Sequence, residues 1–198
     1  MPQQDLFGGA PQPKPRTPQP SRKPAALEPY SWFFALRPGA ADAMRIDVFS
    51  ARLLSAHGVT GKRIAPERLH ISLDAVDASM VEEACLAADS VRLPAIEVHL
   101  DAAMTFSGGA IVLAGAKGAQ GMNGVRHLRT TLGCAMADRG FKLKSSYEPH
   151  MTLGYDTRNS IGPVAIEPVV FKVAELTLVK SHVGLTRHDV VRSWTLEG

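Results

Sequence analysis

Two short apolar stretches, each carrying a histidine and a hydroxyl two residues apart, recur 80 positions from one another: His70-Ile71-Ser72-Leu73 and His150-Met151-Thr152-Leu153. In an extended strand, alternate side chains share a face, so His70 and Ser72 point one way while Ile71 and Leu73 point the other. Each histidine then lies about 6.6 Å from its hydroxyl along the strand, by the rise of two residues. Bare His-x-Ser/Thr triplets are common, but with 45% apolar residues the full pattern is expected only about 0.16 times by chance. Two copies therefore constrain the chain to two similar halves.

The surrounding pattern agrees. Trp32 to Leu36 predicts a buried strand closed by Pro38-Gly39, and Ala40 to His57 a helix with Met44, Val48, Leu53 and Leu54 on its apolar face. Gly58 is its stop. The first motif is the next strand, Leu69 to Leu73. A second helix is predicted over Ser79 to Ala88, then strands near Ala95 to Leu100 and Met104 to Phe106. Strand, helix and strand then repeat: Ile111 to Leu113, then Gly121 to Asp138 with Val125, Leu128, Leu132 and Met136 inward and Gly140 as stop, then Tyr147 to Leu153. Three later strands, near 164–170, 173–180 and 190–196, complete a sheet-rich α+β protein.

Residues 1–29 hold eight of the fourteen prolines and few large apolar side chains, which predicts a disordered, solvated tail before a folded domain over 30–198. The net charge is +3, and the tail supplies +2 of it through Lys14, Arg16, Arg22 and Lys23 against Asp5 and Glu28. A nearly neutral folded part argues against a broad basic platform for duplex DNA. Cys85 and Cys134 are far apart in helix-like stretches, which suits a reducing compartment. No apolar run reaches the roughly 18 residues of a membrane span. A cytoplasmic monomer without membrane attachment is expected.

No His-Glu-x-x-His, Cys-x-x-Cys or Gly-x-Ser-x-Gly pattern is present, which removes sequence support for zinc-protease, redox and α/β-hydrolase chemistry. The stretch from Gly115 to Gly121 lacks the Lys-Ser/Thr ending of a P-loop and reads as a connection. His57, His99, His127, His182 and His188 lack the flanking pattern of the two motifs and read as surface or capping residues.

Two imidazoles and two hydroxyls suit phosphodiester chemistry. Imidazole titrates near neutrality, so one copy can accept a proton while the other donates one. Hydroxyls can hydrogen-bond phosphate oxygens without charge repulsion. Arg68, Lys142, Lys144 and Arg158 lie near the motifs in sequence and could steer a phosphate.

The pair RLHISL and EPHMTLGY, preceded by YSWFFALRP, resembles the two-histidine (2H) phosphoesterase superfamily, in particular its LigT-like RNA 2',3'-cyclic phosphodiesterases, also called 2'-5' RNA ligases. The resemblance covers about residues 30–196. It implies two pseudo-symmetric antiparallel-sheet lobes with helices outside and a cleft between them, and hydrolysis of a 2',3'-cyclic phosphodiester at an RNA or nucleotide end to a 2'-phosphomonoester. It further implies His70 and His150 as catalytic residues, Ser72 and Thr152 as phosphate-binding hydroxyls, and neither metal nor cofactor. It suggests His150 as base and His70 as acid, an order that the pseudo-symmetry leaves open. The competing class is a non-catalytic module of the same fold that binds RNA ends or nucleotides.

Two departures from the family pattern bear on substrate. Asp74-Ala75-Val76-Asp77 stands where members often have Phe-Leu-Gly, and Tyr155 follows Gly154 where many have arginine.

Overall fold

The computed structural model describes residues 29–142 and 146–197. The Pro-rich tail, apart from Pro29, and Lys144 lie outside the described residues. In chain order the elements are β1 (Tyr30–Leu36), α1 (Ala40–Ala56), β2 (Lys62–Arg63), β3 (Ile71–Val76), α2 (Val81–Ala88), β4 (Ile96–Thr105), β5 (Ala110–Ala114), α3 (Asn123–Ala137), β6 (His150–Tyr155), β7 (Val164–Val173), β8 (Glu175–His182) and β9 (Arg187–Thr195). Short 3₁₀ turns occupy Pro66–Arg68 and Ala78–Met80.

The strands form one antiparallel sheet in the order β7-β4-β5-β6-β3-β1-β8-β9, with β2 added on β6. Its two halves mirror one another about the β6–β3 seam. On one side β1, α1 and β3 follow in sequence; on the other, β5, α3 and β6 do the same. The two lobes are thus halves of one sheet, joined at the strands that carry the motifs.

A single apolar core links all three helices to alternate residues of the strands, among them Ile71 and Leu73 of β3, Met151 and Leu153 of β6, and Leu128, Leu132 and Met136 of α3. Burial of that set dictates that His70, Ser72 and Thr152 belong to the opposite face. In α3 the inward stripe is the predicted one. In α1 it holds only at the C-terminal end, where Leu54 is buried and Leu53 packs against the core; Met44 and Val48 are about half exposed, and Ala43, Ile46 and Ser50 are buried in their place. Small Ala43 and Ser50 let this helix approach closely, which the hydropathy of Met44 and Val48 conceals. Gly58 and Gly140 do end α1 and α3, at φ of 65° and 90°. In each case the next amide bonds a carbonyl five residues back, Val59 to Leu54 and Phe141 to Met136.

The two strands expected over 95–106 are one continuous β4, whose pairing with β7 shifts register between Leu100 and Ala102. Asp101 at this irregularity accepts a hydrogen bond from the Ala116 amide and so anchors the Gly115–Gly121 connection. Beyond β6, the Asp156 carboxylate accepts from the amides of Arg158 (2.8 Å), Asn159, Thr60 and Gly61, tying the loop after β6 to the one before β2. The Arg158 amide and the other donors hold its carboxyl well below the usual carboxylate range.

Candidate active site

Among the described residues, only Ile71 and Met151 pair across the seam, and both are fully buried. Their register crosses the two motifs: in an antiparallel pair centred there, His70 stands opposite Thr152, and Ser72 opposite His150. Each histidine thus faces the hydroxyl of the other half across the seam. The pseudo-twofold axis runs between the two apolar residues.

Each ring is oriented by its own backbone. Nδ1 of His70 lies 2.6 Å from the Arg68 carbonyl oxygen and Nδ1 of His150 lies 2.8 Å from that of Glu148. A carbonyl can only accept, so Nδ1 carries the proton in both rings and Nε2 is left as the exchanging nitrogen. Carbonyls two residues back, rather than the neighbouring hydroxyls, satisfy the rings.

The ring surroundings differ between the halves. His150 packs against Phe106 at 4.8 Å between centroids. His70 lies between Phe33 at 5.2 Å and His188 at 5.3 Å, and these two also touch at 5.6 Å. Burial pulls His70 below the ordinary histidine range; the Arg68 carbonyl bond opposes this, and the charges of Arg37, Arg68 and His150 reinforce it. Burial, together with His70, Arg68 and Arg37, lowers His188 to about 4.

Ser72 borders a cleft of about 350 Å³, lined also by Phe33, Asp74, Arg129, Lys142 and Tyr147. A β-bulge shapes it: Leu73 and Asp74 together stand opposite Phe34, so Ser72 and Ala75 both stay exposed while Leu73 and Asp74 are buried. Arg129 of α3 donates to the Asp74 carboxylate at 2.8 Å and lies over the Tyr147 ring at 4.5 Å. Tyr147 in turn donates to the Ser72 carbonyl at 2.9 Å. Its phenol is raised far above the ordinary tyrosine value, chiefly by burial. This chain of contacts fixes the backbone of Ser72 from the side where β6 leaves β3.

Of the cations singled out from sequence, Arg68 lies beside His70 and Lys142 lines the cleft at Ser72. Arg158 instead lines a separate hollow with Thr105, Gly109 and Asn159. His99 and His182 pair with the carboxylates of Glu97 and Asp189, at 2.6 and 2.7 Å. His188 is a correction: it is neither a cap nor a solvated surface residue but part of the His70 cluster. Phe33, Arg37, Phe106 and Tyr147 join the site without having been singled out from the sequence: Phe33 lies in β1, Arg37 and Phe106 directly follow β1 and β4, and Tyr147 precedes β6. Among the described residues, no group of three or more His, Cys, Asp or Glu side chains is arranged to hold a metal ion. No helix among them is long and apolar enough to cross a membrane.

Comparison with known proteins adds a family and a fold. The profile of the 2'-5' RNA ligase superfamily matches residues 49–185. No curated protein sequence matches the chain. Among solved structures, Escherichia coli LigT complexed with 3'-AMP aligns over 86% of this chain and 100% of its own, with 24% identity and a TM-score of 0.67. The same protein complexed with ATP aligns at 23% identity over 86% of this chain and 100% of its own, with a TM-score of 0.64. TT0787 of Thermus thermophilus aligns at 15% identity over 85% of this chain and 98% of its own, with a TM-score of 0.66.

Proposed function

The chain belongs to the 2'-5' RNA ligase superfamily, and on that footing we propose that it hydrolyses a 2',3'-cyclic phosphodiester at an RNA or nucleotide end, leaving a 2'-phosphomonoester. The observation that carries this reading is the crossed register at the seam. A phosphate seated over Ile71 and Met151 would meet an imidazole and a hydroxyl from each side, with the two imidazoles free to act on opposite apical oxygens.

Water attacks phosphorus while Nε2 of His150 removes its proton. The bond from phosphorus to the ribose 3' oxygen breaks, and Nε2 of His70 delivers a proton to that oxygen. Ser72 and Thr152 donate hydrogen bonds to the non-bridging oxygens as charge develops on them. The lowered proton affinity of His70 suits the donor role, because a depressed imidazolium is the stronger acid. The negative charge of the arriving phosphodiester favours loading its proton. The complexes of E. coli LigT with 3'-AMP and ATP support a nucleotide as ligand of this fold.

The test is incubation of the full chain with a 2',3'-cyclic mononucleotide in excess EDTA, with the product identified by phosphorus NMR. A 2'-phosphomonoester is expected. A 3'-phosphomonoester would reverse the seating of the ribose and exchange the roles of His70 and His150. Saturable nucleotide binding without turnover would replace the enzyme with a binding module.

A further inference from the structure

His188 belongs to β9, and three strand spacings separate β9 from β3 in the order β3-β1-β8-β9. In a flat sheet that is roughly 14 Å. Yet the His188 and His70 ring centroids are 5.3 Å apart. The β8–β9 ribbon therefore curls over the open face of the sheet, carrying His188 across Phe33 to the first motif. Sheet twist alone permits this curl, but the residue delivered by it is an aromatic ring set edgewise, at 72°, to His70.

We propose that His188 is a positioning residue of this site, holding the His70 ring by edge-on packing so that its Nε2 stays directed at the seam. The inference rests on the phosphodiesterase reading only for the identity of the reaction being positioned. Three contacts define the His70 ring plane: the Arg68 carbonyl at Nδ1, Phe33 tilted by 32° against one side, and His188. The first fixes one edge. Rotation about that hydrogen bond is blocked by the two rings. His188 makes no side-chain hydrogen bond among the described residues, so packing is its contribution to the structure.

Being uncharged matters as well. The charged and titratable groups facing His70 are Arg37 just after β1, Arg68 before β3, His150 on β6 and His188 on β9. Arg37 and Arg68 already oppose a proton on His70. A further cation at 188 would oppose it more, whereas a neutral ring excludes water without adding charge. Burial by Phe33 and His188 thereby keeps the proton of His70 labile.

Two substitutions separate packing from polarity. His188→Ala removes the ring and His188→Phe keeps it without its nitrogens; both lie on an edge strand, and folding is checked by thermal melting. In the full chain, His188→Ala should lower kcat about tenfold through loss of orientation, with KM changing less than about twofold, and His188→Phe should restore kcat to within about threefold. Nitrogen-15 NMR titration of the His70 ring gives a readout independent of turnover. In His188→Ala its pKa should rise toward the ordinary value as water enters, and in His188→Phe it should stay low. Wild-type kcat and an unchanged His70 titration in His188→Ala would overturn the proposal. Loss in both variants would also overturn it, since it would assign the role to a ring nitrogen. If the wild-type chain hydrolyses no cyclic phosphodiester but the titrations move as expected, the functional reading fails and the positioning role stands.

Discussion

Ile71 and Met151 are, among the described residues, the single register pair between β3 and β6, the strands that carry the two motifs, and neither is accessible to solvent. This pair sets the register of one motif against the other, and the pairing of β2 with β6 and the Tyr147 bond to the Ser72 carbonyl hold the same strands together. One residue slip in either strand would turn that motif's histidine and hydroxyl into the core and expose its apolar pair. Burial of Ile71 and Met151 therefore specifies the site as well as the fold.

Met151→Ala should cost about 2–5 kcal/mol of stability through lost burial and a residual cavity. Ile71→Ala should cost a similar amount, and the double variant should be non-additive because the two side chains share one contact. Urea unfolding of the three variants measures this. Simple additivity would mean that the seam is not packed as a unit.

His70→Ala or His150→Ala should reduce turnover of a cyclic mononucleotide by at least ~10²-fold, since each removes a proton-transfer group. Ser72→Ala and Thr152→Ala should cost less, because the hydroxyls only bind developing charge. All four should fold, as the four side chains lie on the face away from the core. A folded His150→Ala protein with wild-type turnover would falsify the mechanism.

Tyr147→Phe deletes the hydrogen bond to the Ser72 carbonyl and keeps the ring under Arg129. A stability loss of about 1 kcal/mol is expected for one such bond. Turnover should fall several-fold with the nucleotide KM rising, because Ser72 loses its backbone support. An unchanged KM would place the phosphate away from Ser72.

Activity should follow a bell in pH whose limbs belong to the coupled histidine pair. Because His70 is pulled down by burial, the acidic limb should lie below the usual histidine value. Steady-state kcat/KM across the pH range checks this, and activity that does not fall on the alkaline side would remove His70 as the proton donor.

Stability should respond to pH through His188, whose pKa falls from 6.5 to about 4 on folding. As pH drops below 6.5 the unfolded chain takes up the proton first, so this contribution is present above 6.5 and is lost as pH falls through about 4. The melting temperature of His188→Phe should decline less steeply over that window than that of the wild type. Parallel declines would show that His188 is equally protonated in both states.

How much of this is legible in the chain depends on the range of the interactions involved. The duplicated motif, the strand alternation that puts each histidine with its hydroxyl, and the inward stripe of α3 are local consequences of period and burial, and the residues carrying them lie within a few positions of one another. The glycine stops after α1 and α3 are local for the same reason. The buried face of α1 departs from its hydropathy pattern because Ala43 and Ser50 are buried for their small size, a property that only the packed neighbour defines. The pattern divides β4 in two because the irregularity at Asp101 is set by pairing with β7, a strand far later in the chain.

The site divides in the same way. Local pattern is enough to single out the four candidate side chains and which two share a face within each half, since a strand's period fixes which residues share a face. It does not say that His70 stands opposite Thr152 rather than His150 across the seam, which follows from the Ile71–Met151 register. Nor does it bring His188 from β9 to His70, or Tyr147 to the Ser72 carbonyl, 75 positions away. Their geometry comes from sheet order and curl, which arise only when the whole chain has buried its core.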